Sequence, residues 1–349
     1  MNNQIKVTPL ESEHLEDVGK ILVRRLESEY HSLPAINGDF LDIGHTIEYI
    51  VNQKNDEFAQ SYVAIQGQKV IGFVIGKKNS AANQYNYLSQ ISVPDSAEVN
   101  FLTHAVSDDV DANSVYRELY RALARNWVDD GQIHHSIHIA ACDWRTQEAW
   151  INLGFGRHTT IAVRPEISPI ETAQIDEITI KQARPDDINT VIDMAEILGK
   201  HHIDSPMFMF WPVQKKDRKL AKTFFEELLT NENNPHFIAY DNNHAVGMLS
   251  FLAQGLIPSH IDSKKNIYLF MGIVAPEAQQ NGIGRTLLNV GMSWARDHDY
   301  KSSTLHVLNM NHSGWPFWEA NGFLPVEYSM ERIIDSRLIS NNFKKIALL

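Results

Sequence analysis

The chain has 349 residues, 43% hydrophobic and 21% charged, with 18 Gly and 13 Pro; it exceeds the ~100–200 residues that one core usually organises, and its composition excludes disordered, collagen-like and low-complexity classes. Against 31 Lys and Arg stand 43 Asp and Glu, a formal charge of −12, and without a local basic patch this excludes nucleic acid and anionic lipid surfaces as partners. The lone Cys142 rules out an intramolecular disulfide and suits a reducing compartment, and no run approaches the ~18 apolar residues of a membrane span, so a cytoplasmic protein is expected.

In the first half, an alternating strand at Ile5 precedes helices near 14–29 and 40–54. Strands follow near 60–66, 69–76 and 85–93, then a helix at 112–129, a strand at 134–141 and a helix at 145–152. NFLTHAV, before the third helix, reads as an extra strand. The stretch EISPIETAQID, Glu166 to Asp176, has a Pro, small polar residues and several acids without periodicity, the pattern of a solvated linker. In the second half the order is a strand at 177–182, helices at 187–200 and 217–231, and strands at 236–241, 245–253 and 266–274. A helix opening after Gly282 comes next, then a strand at 302–308, a helix at 313–321 and a strand at 325–334. This order predicts the α/β class, with a mixed α+β-type sheet covered by helices.

The halves repeat. IKVTPLESEHLEDV (Ile5 to Val18) aligns without a gap on ITIKQARPDDINTV (Ile178 to Val191). Likewise HHSIHIAACDWRTQEAWINLGF (His134 to Phe155) aligns on SSTLHVLNMNHSGWPFWEANGF (Ser302 to Phe323), pairing His138 with His306, Asp143 with Asn311 and Trp150 with Trp318. A repeat of this length implies one topology used twice, with domains at 1–165 and 177–349 and a linker at 166–176.

The chemistry-bearing segment is IYLFMGIVAPEAQQNGIGRTLLNVGMSWAR, a strand entering a turn whose Gly282 and Gly284 open a helix. Glycines let backbone N–H groups approach an anion closely, and the positive helix end favours it by about 0.3–1 kcal/mol per charge. Alone, such a GxG is either a phosphate cradle or a tight strand-to-helix turn. A dinucleotide fingerprint fails because Leu287 stands where a third glycine is needed, and a Walker motif fails because no GK[ST] follows. In order, the chain presents Val274-Ala-Pro-Glu277, Gln279-x-x-Gly282-x-Gly284-Arg285, Asn311, an aromatic pair and Gly322-Phe323. This order resembles the GNAT N-acetyltransferase superfamily over most of 177–334. That family's acetyl-CoA loop follows [RQ]-x-x-G-x-[GA], and the resemblance makes the fold a tandem pair of GNAT-like acyl-CoA N-acyltransferase domains.

The resemblance implies that the loop of Gln279, Gln280, Asn281, Gly282, Ile283, Gly284, Arg285 and Thr286 holds the CoA pyrophosphate through backbone amides. Ile273 and Val274 would pair with the pantetheine arm, with an amide near Val274 polarising the acetyl carbonyl. Asn311 falls where the family places an asparagine beside that arm; it also reads as a helix cap, and the two roles are compatible. In the first half the gapless register puts Ser114 at Gly282 and Tyr116 at Gly284, so side chains fill the space of a pyrophosphate. The C-terminal half is therefore expected to be catalytic, with acetyl-CoA as co-substrate and a small-molecule amine as acceptor, in a monomer or homodimer, and the first half either a structural partner or, with Arg117 and Arg121 near its helix start, a divergent cofactor or acceptor site.

Trp318 stands where the family often has an acidic Tyr, and an indole N–H donates without titrating. The usual base positions are Phe270 and Tyr268, which leaves Tyr268 as either a catalytic group or a buried, structurally bonded phenol. The apolar run Ser205 to Pro212 is either an acceptor wall or core, and His201-His202 either a base or capping residues. The 16 His are scattered and no HExxH occurs, so no metal is expected. With both usual proton-transfer residues absent, a non-catalytic acyl-CoA-binding regulator is the alternative, and a protein or peptide N-acetyltransferase a further one.

Overall fold

In the computed structural model, residues 4–79, 87, 91, 93–172, 175, 177–212, 217–253 and 256–339 are described. They form two units. One comprises Met1–Ala81, Val93–Thr160 and Pro325–Leu349, the other Ala82–Ser92 and Ile161–Leu324.

The first unit contains β1 (Ile5–Pro9), α1 (Leu15–Tyr30), α2 (Ile43–Lys54), β2 (Ala59–Gln66), β3 (Lys69–Lys78), β4 (Ser96–Val106), α3 (Ala112–Asp129), β5 (His134–Ala140) and α4 (Trp144–Ile151). The second takes up the residues from Ile161 of β6 (Gly156–Arg164), then repeats that succession. It has β7 (Ile178–Gln182), α5 (Ile188–Ile203), α6 (Arg218–Leu229), β8 (His236–Asp241), β9 (His244–Leu252), β10 (Asn266–Val274), α7 (Ile283–Asp297), β11 (Ser302–Leu308) and α8 (Gly314–Ala320). The last strand, β12 (Leu324–Ile333), returns to the first unit.

In the first unit the sheet order is β1-β2-β3-β4-β5-β12, and in the second β6-β11-β10-β9-β8-β7. Strand β12 runs antiparallel to β5 from Glu327↔Ala140 to Ile333↔His134. Its Met330 is buried in a core built from Val115, Leu119, Leu123 and Trp127 of α3 and Trp150 of α4. Ion pairs add to the ladder. The buried Glu327 accepts from His138 Nδ1, and Glu331 lies 3.0 Å from both His134 Nε2 and His158 Nδ1. Burial opposes a charge on His138, but the Glu327 carboxylate outweighs it and holds the imidazole up at about 8.

Two expectations change. NFLTHAV is not a strand by itself: it lies inside β4, the strand that follows β3 among the described residues, antiparallel to β3 and parallel to β5 over Ser96–Val99. Most of 85–93, where that strand was expected, lies outside the described residues. Over Phe101–Val106 β4 is buried on both faces and loses the alternation that it keeps from Ser96 to Asn100 and that marks a half-exposed strand. The 166–176 stretch is not a freely solvated linker either. Ile167 and Ile170 are each 8% exposed and join the second unit's core. The Ile167 amide donates to Lys301 O (3.0 Å) and that of Ile170 to Asn289 Oδ1 (3.1 Å). Each buried isoleucine contributes about 1.5–3 kcal/mol, enough to fix the segment despite its acids; residues 173, 174 and 176 are outside the described set.

In the second unit, α7 packs Leu287, Leu288 and Met292 against one side of the sheet, while α5 and α6 cover the other with Val191, Leu198 and Phe225. No helix among the described residues is long and apolar enough to cross a membrane.

Candidate active site

The site begins where β10 leaves its neighbour. Asn266, Ile267 and Tyr268 pair in parallel with Ser302, Ser303 and Thr304 of β11, but the register goes no further, while β10 stays on β9 through Val274. A bulge at Phe270 interrupts the β9 register between Leu269 and Met271. Ile267 and Leu269 point into the α7-side core, whereas Phe270, Met271 and Ile273 pack with α5 and α6. Two successive residues on one face are the signature of such a bulge, which re-aims the strand's end.

Beyond Val274, a 3-10 turn at Pro276–Ala278 leads to Gln279, whose Nε2 donates to Val274 O (3.0 Å). Gln280 (φ 65°) and Gly282 (φ 79°) are both left-handed, and Gly282 is the N-cap of α7. A left-handed residue followed by a helical one turns consecutive N–H groups toward one concavity. Gly282 provides no side-chain acceptor for them, so the first-turn donors of α7 have no N-cap side chain on them. At Gly284 an added Cβ would already touch Phe317 (3.5 Å) and Val274 Cγ2 (3.6 Å).

These elements enclose a cavity of about 600 Å³. Of the residues expected at the cofactor, Ile273, Val274, Gln279, Gln280, Gly282, Ile283, Gly284, Arg285 and Asn311 line it. Asn281 and Thr286 do not; the Thr286 hydroxyl instead donates back to Gly282 O (3.2 Å). Asn311 Oδ1 accepts from the Gly314 amide (2.8 Å) and the Ser313 hydroxyl (3.0 Å), so the residue holds the first amide of α8, whose N-cap is Ser313, and also lines the cavity. Trp318, half-buried, stands on the wall with its ring 4.8 Å from Phe317 and 5.6 Å from Phe323.

Tyr268 is not among the lining residues. It is buried, its hydroxyl bonded to His306 Nδ1 (2.8 Å), and burial pushes its phenol well above the usual range. The Ser205–Pro212 run contributes no wall either: Met207 and Trp211 are buried, while Phe208 and Phe210 are 75% and 57% exposed. A lining residue outside the expected cofactor set is His201, on the last turn of α5 three residues after Leu198, which also lines the cavity. That spacing on the helix's buried stripe was the available signal. Among the described residues no cluster of three or more His, Cys, Asp or Glu is placed to hold a metal. Cys142 is exposed, and its thiol is pushed up to about 11, chiefly by desolvation.

The first unit treats the same place differently. Helix α3 has 18 residues against 15 in α7, and its N-cap is Asp111. That carboxylate accepts from the amides of Asn113 (3.2 Å) and Ser114 (3.1 Å) and from Ser114 Oγ (2.5 Å), the hydroxyl chief among the causes holding its pKa low. Like β10 and β11, β4 and β5 pair only at their beginnings, but here Tyr116 and Trp150, 5.6 Å apart, are fully buried. Trp150 is 1% exposed where its counterpart Trp318 faces a cavity.

Residues 200–323 match the Acetyltransferase (GNAT) family. A solved GCN5-related N-acetyltransferase from Sphaerobacter thermophilus is similar with a TM-score of 0.56 at 11% identity, over 95% of this chain and 98% of that one. The GCN5-related glucosamine N-acetyltransferase region of a fungal multi-domain GH3 β-N-acetylglucosaminidase gives 0.54 at 11% identity, over 95% of this chain and 38% of that one. No curated protein sequence matches. The family match falls inside the second unit, so residues 200–323 form a GNAT acetyltransferase-family domain, and the fold shared with these solved structures extends over nearly the whole length.

Proposed function

We propose that the second unit binds acetyl-CoA and transfers its acetyl group to a primary amine of a small molecule, the first unit being a cofactor-free partner. GNAT enzymes use acetyl-CoA as co-substrate. The observation that carries the reading is the contrast at two helix starts: Gly282 leaves the first amides of α7 without a side-chain acceptor, whereas the Asp111 carboxylate occupies those of α3. A site already filled by its own carboxylate repels a diphosphate, and an uncapped one attracts it.

Within the second unit, the Gln279–Arg285 turn would hold the diphosphate, with Arg285 adding positive charge. The edge of β10 beyond Tyr268, unpaired to β11, would bond the pantetheine arm as a strand bonds its neighbour. Bound acetyl-CoA supplies an activated thioester, and the β10 amides near Val274 would orient and polarise its carbonyl. Trp318 would steady the sulfur by donation without giving up a proton. The cavity wall is largely apolar, with Leu198, Met248, Leu249, Phe317 and Trp318, and among the described residues includes no carboxylate. A polycationic acceptor finds no counter-charge there, which favours an amine with an apolar body. The lone, exposed cysteine fits a reducing, cytoplasmic setting.

Calorimetric titration with acetyl-CoA tests the cofactor site. The intact chain should bind, and Gly284→Tyr, which copies Tyr116 of the first half, should not; undiminished binding would relocate the site. A second reading, a non-catalytic acyl-CoA-binding regulator, rests on the non-titrating Trp318. Thiol release above hydrolysis with a panel of primary amines decides against it.

A further inference from the structure

The cavity is poor in groups that move protons. Among the described residues that line it, only His201 and Arg285 carry ionisable side chains, and a guanidinium stays protonated. Arg285 belongs to the first turn of α7, on the cradle, while His201 comes from the last turn of α5. The neighbouring His202 is already engaged: its Nδ1 is bonded to Leu198 O (2.9 Å), its ring stacks on Trp211 (5.1 Å, 24°), and burial lowers its pKa. Tyr268 is outside the cavity and Trp318 does not titrate.

We infer that His201 is the general base that deprotonates the acceptor amine, an inference resting on the acetyltransferase reading above. The imidazole takes one proton from the acceptor ammonium and passes it to water. The neutral nitrogen then attacks the acetyl carbonyl carbon, forming the C–N bond. Its excess proton goes to His201 as the tetrahedral adduct breaks the C–S bond, and reaches the leaving thiolate from the imidazolium through water. Amide, free thiol and one proton released to solvent complete the balance. Imidazole suits this work because its proton exchange falls nearest neutral pH among ordinary side chains. Beside it stands His202, with ring centroids 5.9 Å apart, and Arg285 lines the same cavity.

The test uses the intact chain, His201→Gln and His201→Ala, with acetyl-CoA affinity by calorimetry and thiol release with primary amines from about pH 5.5 to 9. Expected are unchanged acetyl-CoA affinity, which also reports folding, a kcat lower by about 10²–10³ and loss of the acid limb of kcat/KM. Added imidazole should restore part of the turnover of His201→Ala. Variants that bind acetyl-CoA yet keep wild-type kcat and its acid limb overturn the assignment of His201 while leaving the acetyltransferase reading intact. An intact chain that binds acetyl-CoA but releases thiol with no amine overturns both.

Discussion

Trp318 rests its indole on Gly272: a Cβ on that glycine would lie 3.0 Å from Cη2 and 3.2 Å from Cζ2. The ring and the strand thus share the opening where β10 has parted from β11. Gly272→Ala should push the indole into the cavity and weaken acetyl-CoA binding about tenfold, with a stability cost of about 1–3 kcal/mol from overpacking. Trp318→Phe, which keeps the ring but loses the N–H, should leave turnover within about tenfold, since only one hydrogen bond is removed. Steady-state kinetics and thermal unfolding check both; a loss of several orders in Trp318→Phe would make the indole N–H indispensable.

The two helix starts predict a reciprocal exchange. Gly282→Asp installs on α7 the carboxylate cap that Asp111 provides on α3, in a left-handed position that Asp tolerates better than most residues. Acetyl-CoA affinity should fall by more than about 100-fold by calorimetry, because the amides are occupied and a negative charge faces the phosphates. Binding within a few-fold of wild type would remove the cradle from the cofactor site.

Tyr268→Phe should leave kcat within about threefold while costing about 1 kcal/mol of stability, the worth of its bond to His306. Kinetics and urea unfolding on one preparation separate the two effects. A large kcat loss at unchanged stability would bring the phenol back into the chemistry.

His138 gives the first unit a pH dependence with a definite sign. Its folded pKa, about 8, lies above the unfolded 6.5. Its contribution is therefore full below pH 6.5 and lost as pH rises through 8, amounting to about 2 kcal/mol. Urea midpoints of the intact chain should fall across this window, and Glu327→Gln should flatten the fall while lowering stability by about 3–5 kcal/mol. A slope unchanged in Glu327→Gln would mean that another group titrates.

The exchange of β12 makes the halves interdependent. Fragments 1–165 and 177–349 should each lack a cooperative calorimetric transition, the first because its core loses Met330 and its β5 edge loses a ladder. A sharp transition in either fragment would show that its sheet closes alone.

Much of this organisation is legible in the sequence. The repeated strand and helix order follows from apolar periodicity, and the turn into α7 from its glycines, because both signals are local. What escapes is non-local. Nothing within LPVEYSMERI says that its partner is HHSIHIA, 187 residues upstream at Ala140↔Glu327, since a strand's own pattern does not name its neighbour. Ile167 and Ile170 look like isolated apolar residues among acids until the second unit's core receives them. The Phe270 bulge is equally hidden, yet it decides which β10 side chains face α7. His201 and His202 read alike in the sequence, as a base or as capping residues, and only the position of the cavity distinguishes them.

The β5–β12 ladder has a cost paid during biosynthesis. Residue 327 leaves the ribosome 187 residues after residue 140, about 10–40 s later at ~5–20 residues per second. Through that interval the nascent β5 edge has no partner of its own and is open to pairing with strands of other molecules. The yield of native protein should therefore depend on translation speed and on chaperones that shield an open strand edge until the carboxyl-terminal strand arrives.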